Sequence, residues 1–271
     1  MKTILVPTDF NEVAEKAMNV AVKIAREKKA KIKLLTMLHF PKLKFRLVES
    51  AVYSEKEYHE VLKIDANREI KRWQDWYPDV DIKGLIKEEE GQGLIPILTS
   101  QKTDLIVMGS EGSSGWKDYF KGTNTQNMVR NAHCPVLVIK QNSVFESLKR
   151  VLFVTDFVKT DFIKKAKSIF DFDNTKNHFV FIDAGDFMND HKEIRANALK
   201  VQKKYKINNF DFEIYRANPI HKGILDYAEK LNVDLIVLYT NGRHGLDRFV
   251  LGSIAEQVVD LSGLPVLSIV E

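Results

Sequence analysis

The feature of the sequence that most constrains the fold is an internal repeat at a fixed spacing. The segment Asp104-Leu105-Ile106-Val107 recurs as Asp234-Leu235-Ile236-Val237, 130 residues later. A repeat held in one register indicates that the chain builds the same structural unit twice. Further residues recur at the same offset: Gly93 as Gly223, Gly112 as Gly242, Gly115 as Gly245, Gly122 as Gly252, and Pro135 as Pro265.

The beginning of each half repeats at a different offset. Thr8-Asp9-Phe10 returns as Thr155-Asp156-Phe157, 147 residues on. Aligning the apolar runs 34–40 and 178–184 places Leu38 opposite Ile182, at an offset of 144. The first half is therefore longer, with its extra residues after the second strand. A chain of 271 residues accommodates about two domains, and we place them at 1–144 and 145–271.

Each half alternates short apolar runs with segments of helical periodicity. Near-continuous apolar strands separated by helices predict a parallel sheet that is covered on both faces. Because such crossovers are right-handed, the expected fold class is α/β, with two tandem doubly wound domains of five parallel strands each. In the first half the predicted strands are 3–9, 31–40, 80–86, 104–110 and 135–140, and the predicted helices are 11–29, with Asn11 as N-cap, 58–77, 93–102 and 123–133.

Composition excludes several classes of protein. The 41 basic and 37 acidic residues give a net charge of +4 and are mixed along the chain, unlike the one-sided basic face of a nucleic-acid binder. Cys134 is the only cysteine, so no intrachain disulfide and no cysteine metal cluster can form. No run has the length of a membrane span, and no signal peptide is evident, so we expect a cytoplasmic protein without a membrane partner.

A glycine-rich stretch follows the fourth strand of the first half. In doubly wound sheets, ligands bind outside the carboxyl ends of the strands where the strand order reverses. Gly109, Gly112 and Gly115 would let backbone N–H groups approach an anion, and a helix opening at Gly122 would offer its positive end to phosphate. Asp9 would accept a hydrogen bond from a ribose hydroxyl or help hold magnesium. The same residues are also compatible with ordinary turns and a helix cap, without a ligand.

The pattern Gly109-x2-Gly112-x9-Gly122-Thr123 resembles the nucleotide-binding signature of the universal stress protein family, and ILVPTDF and LLTMLHF resemble its first two strands. The resemblance covers both halves and implies a tandem member of the family. It implies ATP, or AMP or ADP, in the first half, with or without magnesium. The phosphates would lie on the glycines and Thr123, the ribose or adenine side on Asp9, and the adenine on Phe40. The implied nucleotide-binding residues are Pro7, Thr8, Asp9, Phe40, Gly109, Gly112, Gly122, Thr123 and Asn124, the last replacing an aliphatic residue of many relatives.

The second half departs from this pattern. Tyr239 stands where the first half has Gly109, Val154 replaces Pro7, and Asp183-Ala184 replaces His39-Phe40. Because tyrosine has a bulky side chain, a close backbone approach to a phosphate would be lost there. We expect a degenerate second site that retains Asp156, Gly242, Gly252 and Ser253.

Two functions from different classes follow. The first is an ATP-binding stress-response or signalling module, without an evident general base and so at most a slow ATP hydrolase. The second is a nucleotide-free interaction scaffold that binds a protein partner through the insert around 41–62. A pocket for another small molecule in the second half is a third reading. The family resemblance also implies a pseudo-dimer within the chain, through 135–139 and 265–269, and leaves a further homodimer open.

Overall fold

The computed structural model describes residues 1–38, 45–48, 51–88, 94–110, 122–143, 145, 147–185, 190–240 and 251–270. The first half contains β1 (Thr3–Pro7), α1 (Glu12–Lys28), β2 (Lys31–Leu38), β3 (Phe45–Val48), β4 (Ala51–Ser54), α2 (Glu55–Trp76), β5 (Ile82–Glu88), α3 (Leu94–Thr99), β6 (Leu105–Ser110), α4 (Gly122–Asn131) and β7 (Val136–Lys140). The second half contains β8 (Arg150–Val154), α5 (Phe162–Ile169), β9 (Lys176–Asp183), α6 (His191–Tyr205), β10 (Phe210–Arg216), α7 (Ile220–Leu231), β11 (Leu235–Thr240), α8 (Leu251–Leu261) and β12 (Val266–Val270).

Ten of the twelve described strands form one sheet, in the order β10-β9-β8-β11-β12-β7-β6-β1-β2-β5. Each half contributes five parallel strands, which confirms the predicted doubly wound arrangement. The strands β6, β7 and β11 are buried at every residue because helices cover both faces of the sheet. At the first turn of α1, Asn11 Oδ1 accepts from Ala14 N at 2.8 Å, which confirms the predicted N-cap.

The two halves join through their last strands. β7 and β12 pair antiparallel, with Val138 opposite Val266. On one face of this junction α4 packs against α8, and the guanidinium of Arg130 donates two hydrogen bonds, at 2.7 and 2.6 Å, to the carboxylate of Glu256. The internal pairing expected of 135–139 and 265–269 is therefore present.

The longer middle of the first half contains a feature that the sequence analysis did not predict. β3 and β4 form an antiparallel hairpin of their own, with Phe45 opposite Ser54. α2 then begins at Glu55 rather than at residue 58. These strands are four residues each and lie among charged residues, so their apolar pattern is too short to be distinguished from a loop.

The register of the second strand corrects the alignment of the two halves. Thr8 N donates to Leu35 O at 2.8 Å, and Thr155 N donates to Val180 O at 3.1 Å. Equivalent residues of β2 and β9 are therefore 145 apart rather than 144, so Leu38 matches Asp183 and not Ile182. The predicted match of Asp183 with His39 was wrong by one position, a shift that exchanges the two faces of a strand.

The aspartate that opens the repeated Asp-Leu-Ile-Val motif has a structural role. Asp104 Oδ2 accepts hydrogen bonds from the backbone N–H groups of Lys2 and Thr3, at 2.6 and 2.9 Å. In the second half, Asp234 Oδ2 accepts in the same way from the backbone N–H groups of Lys149 and Arg150, at 2.7 and 2.8 Å, where β8 begins. The repeated acid thus ties the fourth strand of each half to the first strand.

Replacing Asp104 with asparagine tests this tie. Burial alone disfavours the charge, but the hydrogen bonds from Lys2 and Thr3 hold the pKa of Asp104 below its ordinary value. Its contribution is therefore present above an unfolded pKa of about 3.9 and is lost as the pH falls through the lower folded pKa. We expect Asp104→Asn to lower the free energy of unfolding at pH 7 by about 1 to 2 kcal/mol. The difference should be smaller at about pH 3, because the unfolded carboxyl is then mostly protonated and part of the charge-dependent stabilisation is already lost.

Urea unfolding at the two pH values measures this difference. Asp226→Asn is the control, because it removes one carboxylate from an exposed position on α7. An Asp104→Asn deficit that is the same at both pH values would contradict the role of the charge.

Candidate functional site

The strand order of the first half reverses between β1 and β6, since β1 lies between β2 and β6. β1 and β6 are direct neighbours, since Ile4 pairs with Leu105. At their carboxyl ends Pro7, Asp9 and Gly109 line a cavity of about 180 Å³, together with residues of the first turn of α1. Three of the predicted nucleotide-binding residues therefore meet where doubly wound sheets bind ligands.

The turn that leaves β1 is fixed by its own side chains. The buried Thr8 hydroxyl accepts from Phe10 N at 2.9 Å, and Phe10 has a left-handed backbone with φ of 62°. The Asp9 carboxylate accepts from Asn11 N at 3.2 Å and from Asn11 Nδ2 at 3.1 Å. Asp9 therefore braces the turn, and each of its oxygens keeps capacity for another donor.

The second half repeats this turn and then diverges. Thr155 accepts from Phe157 N at 2.9 Å, and Phe157 has a φ of 61°. Asp156 Oδ1 accepts from Val158 N at 2.9 Å, while Asp156 Oδ2 accepts from the hydroxyl of Tyr239. The chain itself thus supplies a hydroxyl donor to the acid that matches Asp9.

Gly109 is required by packing, which the sequence analysis missed. A Cβ at this position would lie 2.7 Å from the carbonyl oxygen of Val13 and 3.0 Å from Ala14 N, so the first turn of α1 leaves no room for a side chain. The sequence could not indicate this contact, because it depends on where α1 lies relative to β6. The predicted contact of Gly109 with phosphate remains a prediction.

Tyr239 explains why the second half is built differently at this point. Its ring is buried and stacks on Phe162, with ring centroids 5.3 Å apart. α5 begins at Phe162, three residues later in the repeat than α1, which begins at Glu12. The Tyr239 ring therefore takes the space that the first turn of α1 occupies above Gly109.

A larger cleft lies at the carboxyl ends of β8 and β9. It has an open volume of about 410 Å³, which includes solvent space, and is lined in part by Val154, Thr155 and Asp156, the counterparts of Pro7, Thr8 and Asp9. Ile254, in the first turn of α8, also lines it and stands where the first half has Asn124. The cleft thus occupies, in the second half, the position that the predicted nucleotide site has in the first.

The remaining predicted site residues divide into two groups. Phe40, Gly112 and Gly242 lie outside the described residues. The others belong to the first turns of two helices, as the sequence predicted: α4 begins with Gly122, Thr123 and Asn124, and α8 contains Gly252 and Ser253.

The described part of the chain shows neither a reactive thiol nor a metal site. Cys134 is buried, and burial raises the pKa of its thiol to about 12, as befits a packing residue. Within the described ranges, no group of three or more His, Cys, Asp or Glu side chains is arranged to hold a metal ion. None of the helices described is both long and apolar enough to cross a membrane.

A doubly wound sheet with crevices where its strand order reverses defines a Rossmann-like α/β protein. Comparison with known proteins is more specific, because the model of the universal stress protein family matches residues 1–140 and 181–269. The chain therefore belongs to the universal stress protein family. The match omits β8 and the turn at Thr155, and the repeated hydrogen bonds show that these residues are equivalent to β1 and its turn.

Individual relatives agree with this membership. The chain is 28% identical over 143 residues to a universal stress protein of Methanocaldococcus jannaschii, covering 52% of this chain and 82% of the relative. A crystal structure of a universal stress protein from Archaeoglobus fulgidus has 20% identity and a TM-score of 0.66, covering 99% of this chain and 96% of that one. One from Pseudomonas aeruginosa has 18% identity and a TM-score of 0.64, covering 100% and 93%. The two structures show likeness of fold.

Replacing Gly109 with alanine tests the packing role. We expect Gly109→Ala to lower the free energy of unfolding by about 2 kcal/mol, because its Cβ meets the backbone of α1 rather than a movable side chain. Gly263→Ala is the matched control, since a Cβ there has nothing within 4 Å and should change stability by less than about 0.5 kcal/mol. Urea unfolding of the three proteins measures the effect, and equal stability of the two variants would refute the contact.

Proposed function

We propose that this protein is a stress-response or signalling module that binds one adenine nucleotide, as ATP, AMP or ADP, in its first half. The observation that carries the proposal is the meeting of Pro7, Asp9 and Gly109 in one crevice at the strand reversal. The complete glycine signature follows in the sequence, and α4 begins at its Gly122. A phosphate at the start of α4 would be stabilised by free N–H groups and the positive end of the helix dipole.

The residues present have the chemistry that a nucleotide needs. Gly112, Gly122 and Thr123 would hold the phosphates with Gly109 and Asn124, while Asp9 would accept a hydrogen bond from the ribose. The Asp9 carboxylate has capacity beyond its two bonds to Asn11, so it fits this role, or that of an oxygen ligand to a magnesium ion on the phosphates. Pro7 and Thr8 would shape the wall beside it, and Phe40 would line the adenine.

The proposal includes a single working site in each chain. Tyr239 stands where a glycine would be needed and already donates its hydroxyl to Asp156. The second half, which we place at 145–271, would then be a degenerate copy of the first, at 1–144. The cytoplasm is the compartment that we propose for the whole chain.

A nucleotide-free scaffold is the second candidate, and specific contacts favour it. Gly109 packs against the first turn of α1, and Asp9 stabilises the turn after β1 through hydrogen bonds to Asn11. Neither role requires a ligand. On this reading the family fold presents a surface, such as the insert around 41–62, to a protein partner. The two candidates differ in whether nucleotide binds at all.

Titration calorimetry with magnesium and ATP distinguishes them. We expect wild-type protein to bind one nucleotide per chain and Gly122→Val to bind at least about 100-fold more weakly, since a branched side chain would obstruct phosphate at the start of α4. Gly252→Val makes the same change at the equivalent position of α8 and should leave the affinity unchanged.

Each variant is first shown to be folded by circular dichroism and its thermal midpoint. Wild-type affinity in a folded Gly122→Val protein would contradict the proposal that nucleotide phosphate binds at the start of α4. A complete absence of binding by the wild-type protein would favour the scaffold.

A further inference from the structure

The cleft of the second half has a chemistry of its own. Phe181 and Ile182 come from the end of β9, Ile220 from the start of α7, and Ile254 from the first turn of α8. With Val154 at the end of β8, these five residues make most of the described lining apolar.

Two polar residues lie together on one side of this lining. The buried Thr155 hydroxyl accepts from Phe157 N at 2.9 Å, and this bond leaves the hydroxyl hydrogen for an acceptor on a ligand. Its neighbour Asp156 is the one ionisable residue among the described residues of the lining. A ligand would therefore meet a hydroxyl donor beside a carboxylate.

The Asp156 carboxylate is held in place before any ligand arrives. Its Oδ1 accepts from Val158 N at 2.9 Å and from Lys159 N at 3.3 Å, and its Oδ2 accepts from the Tyr239 hydroxyl. Three donors fix the position of the carboxylate. A fixed negative charge in an apolar cleft repels anions and attracts a hydrogen-bond donor or a cation.

The contrast with the first half points the same way. Where the glycine signature would bring backbone N–H groups close to a phosphate, the second half has the bulky Tyr239. Its buried ring removes the close backbone approach that a phosphate would need at this position. We propose that the cleft of the second half binds a neutral or cationic small molecule with a compact apolar body, whose polar edge faces Thr155 and Asp156.

This site is separate from the nucleotide site proposed for the first half, and it does not depend on it. Within each half the strands of the shared sheet are parallel, and the halves join by antiparallel pairing of β7 with β12. The carboxyl ends of β1 and β8 therefore point in opposite directions along the shared sheet. Ligands of different charge can occupy the two crevices without contact.

A pair of fluorescent probes tests the proposed selectivity. N-phenyl-1-naphthylamine is neutral, has an apolar body and carries one N–H donor. Its relative 8-anilinonaphthalene-1-sulfonate has the same rings with an added negative charge. We expect the neutral probe to bind at one site per chain and the sulfonate to bind at least about ten-fold more weakly. The titration is done on the full chain, with and without saturating magnesium and ATP, and the neutral probe should bind equally in both.

Filling the cleft tests its location. Ile220→Trp should weaken the neutral probe at least about ten-fold by occupying its space, and Ile254→Trp provides a second filling variant should the first fail to fold. Leu199→Trp adds the same ring on α6 at a position that is 56% exposed and should leave binding unchanged. Probe fluorescence is excited above the absorption of tryptophan, and circular dichroism confirms folding. Unchanged binding in a folded filling variant, or a sulfonate that binds as tightly as the neutral probe, would overturn the proposal.

Discussion

The contact between the first turn of α1 and the backbone of β6 determines how the two halves differ. At Gly109 the helix approaches so closely that a Cβ would lie 2.7 Å from the carbonyl oxygen of Val13. This approach places the start of α1 beside the turn at Asp9 and narrows the crevice between β1 and β6. In the second half Tyr239 prevents the same approach, α5 begins later, and the ring and hydroxyl of Tyr239 pack on Phe162 and Asp156 instead. One difference in side-chain volume thus separates two crevices that share the same backbone turn.

The antiparallel pairing of β7 with β12 unites the halves into one sheet and covers an edge of each. Edge strands expose unpaired backbone groups, so this pairing leaves only β5 and β10 as outer strands of the described ten-stranded sheet. The junction also buries Lys140, and this burial lowers the pKa of its ammonium group to about 8, partly offset by Asp260. Lys140 donates to the carbonyl oxygen of Asp260 at 3.4 Å, near the end of α8, where the helix dipole favours a cation.

The sequence predicted those features that depend on local pattern. The apolar runs 104–110 and 135–140 became buried strands, and Asn11 became the cap of α1. The predicted pairing of 135–139 with 265–269 was correct, and it came from the family resemblance rather than from a local pattern. The β3–β4 hairpin was missed because its eight residues alternate only weakly between apolar and polar. The register of β9 was wrong by one residue because a continuous apolar run does not fix a register. The packing duty of Gly109 and the bond from Tyr239 to Asp156 join residues far apart in the chain, so no local pattern reveals them.

We propose that the repeat has produced one nucleotide site and one crevice of different chemistry. The most direct measurement is the nucleotide content of natively purified protein, obtained by denaturing it and quantifying the released small molecules by chromatography. We expect about one adenine nucleotide per chain, since only the first half has the complete glycine signature. Two nucleotides per chain would contradict the role given to Tyr239. A chain that releases none, and that takes up none when incubated with magnesium and ATP, would contradict the site in the first half.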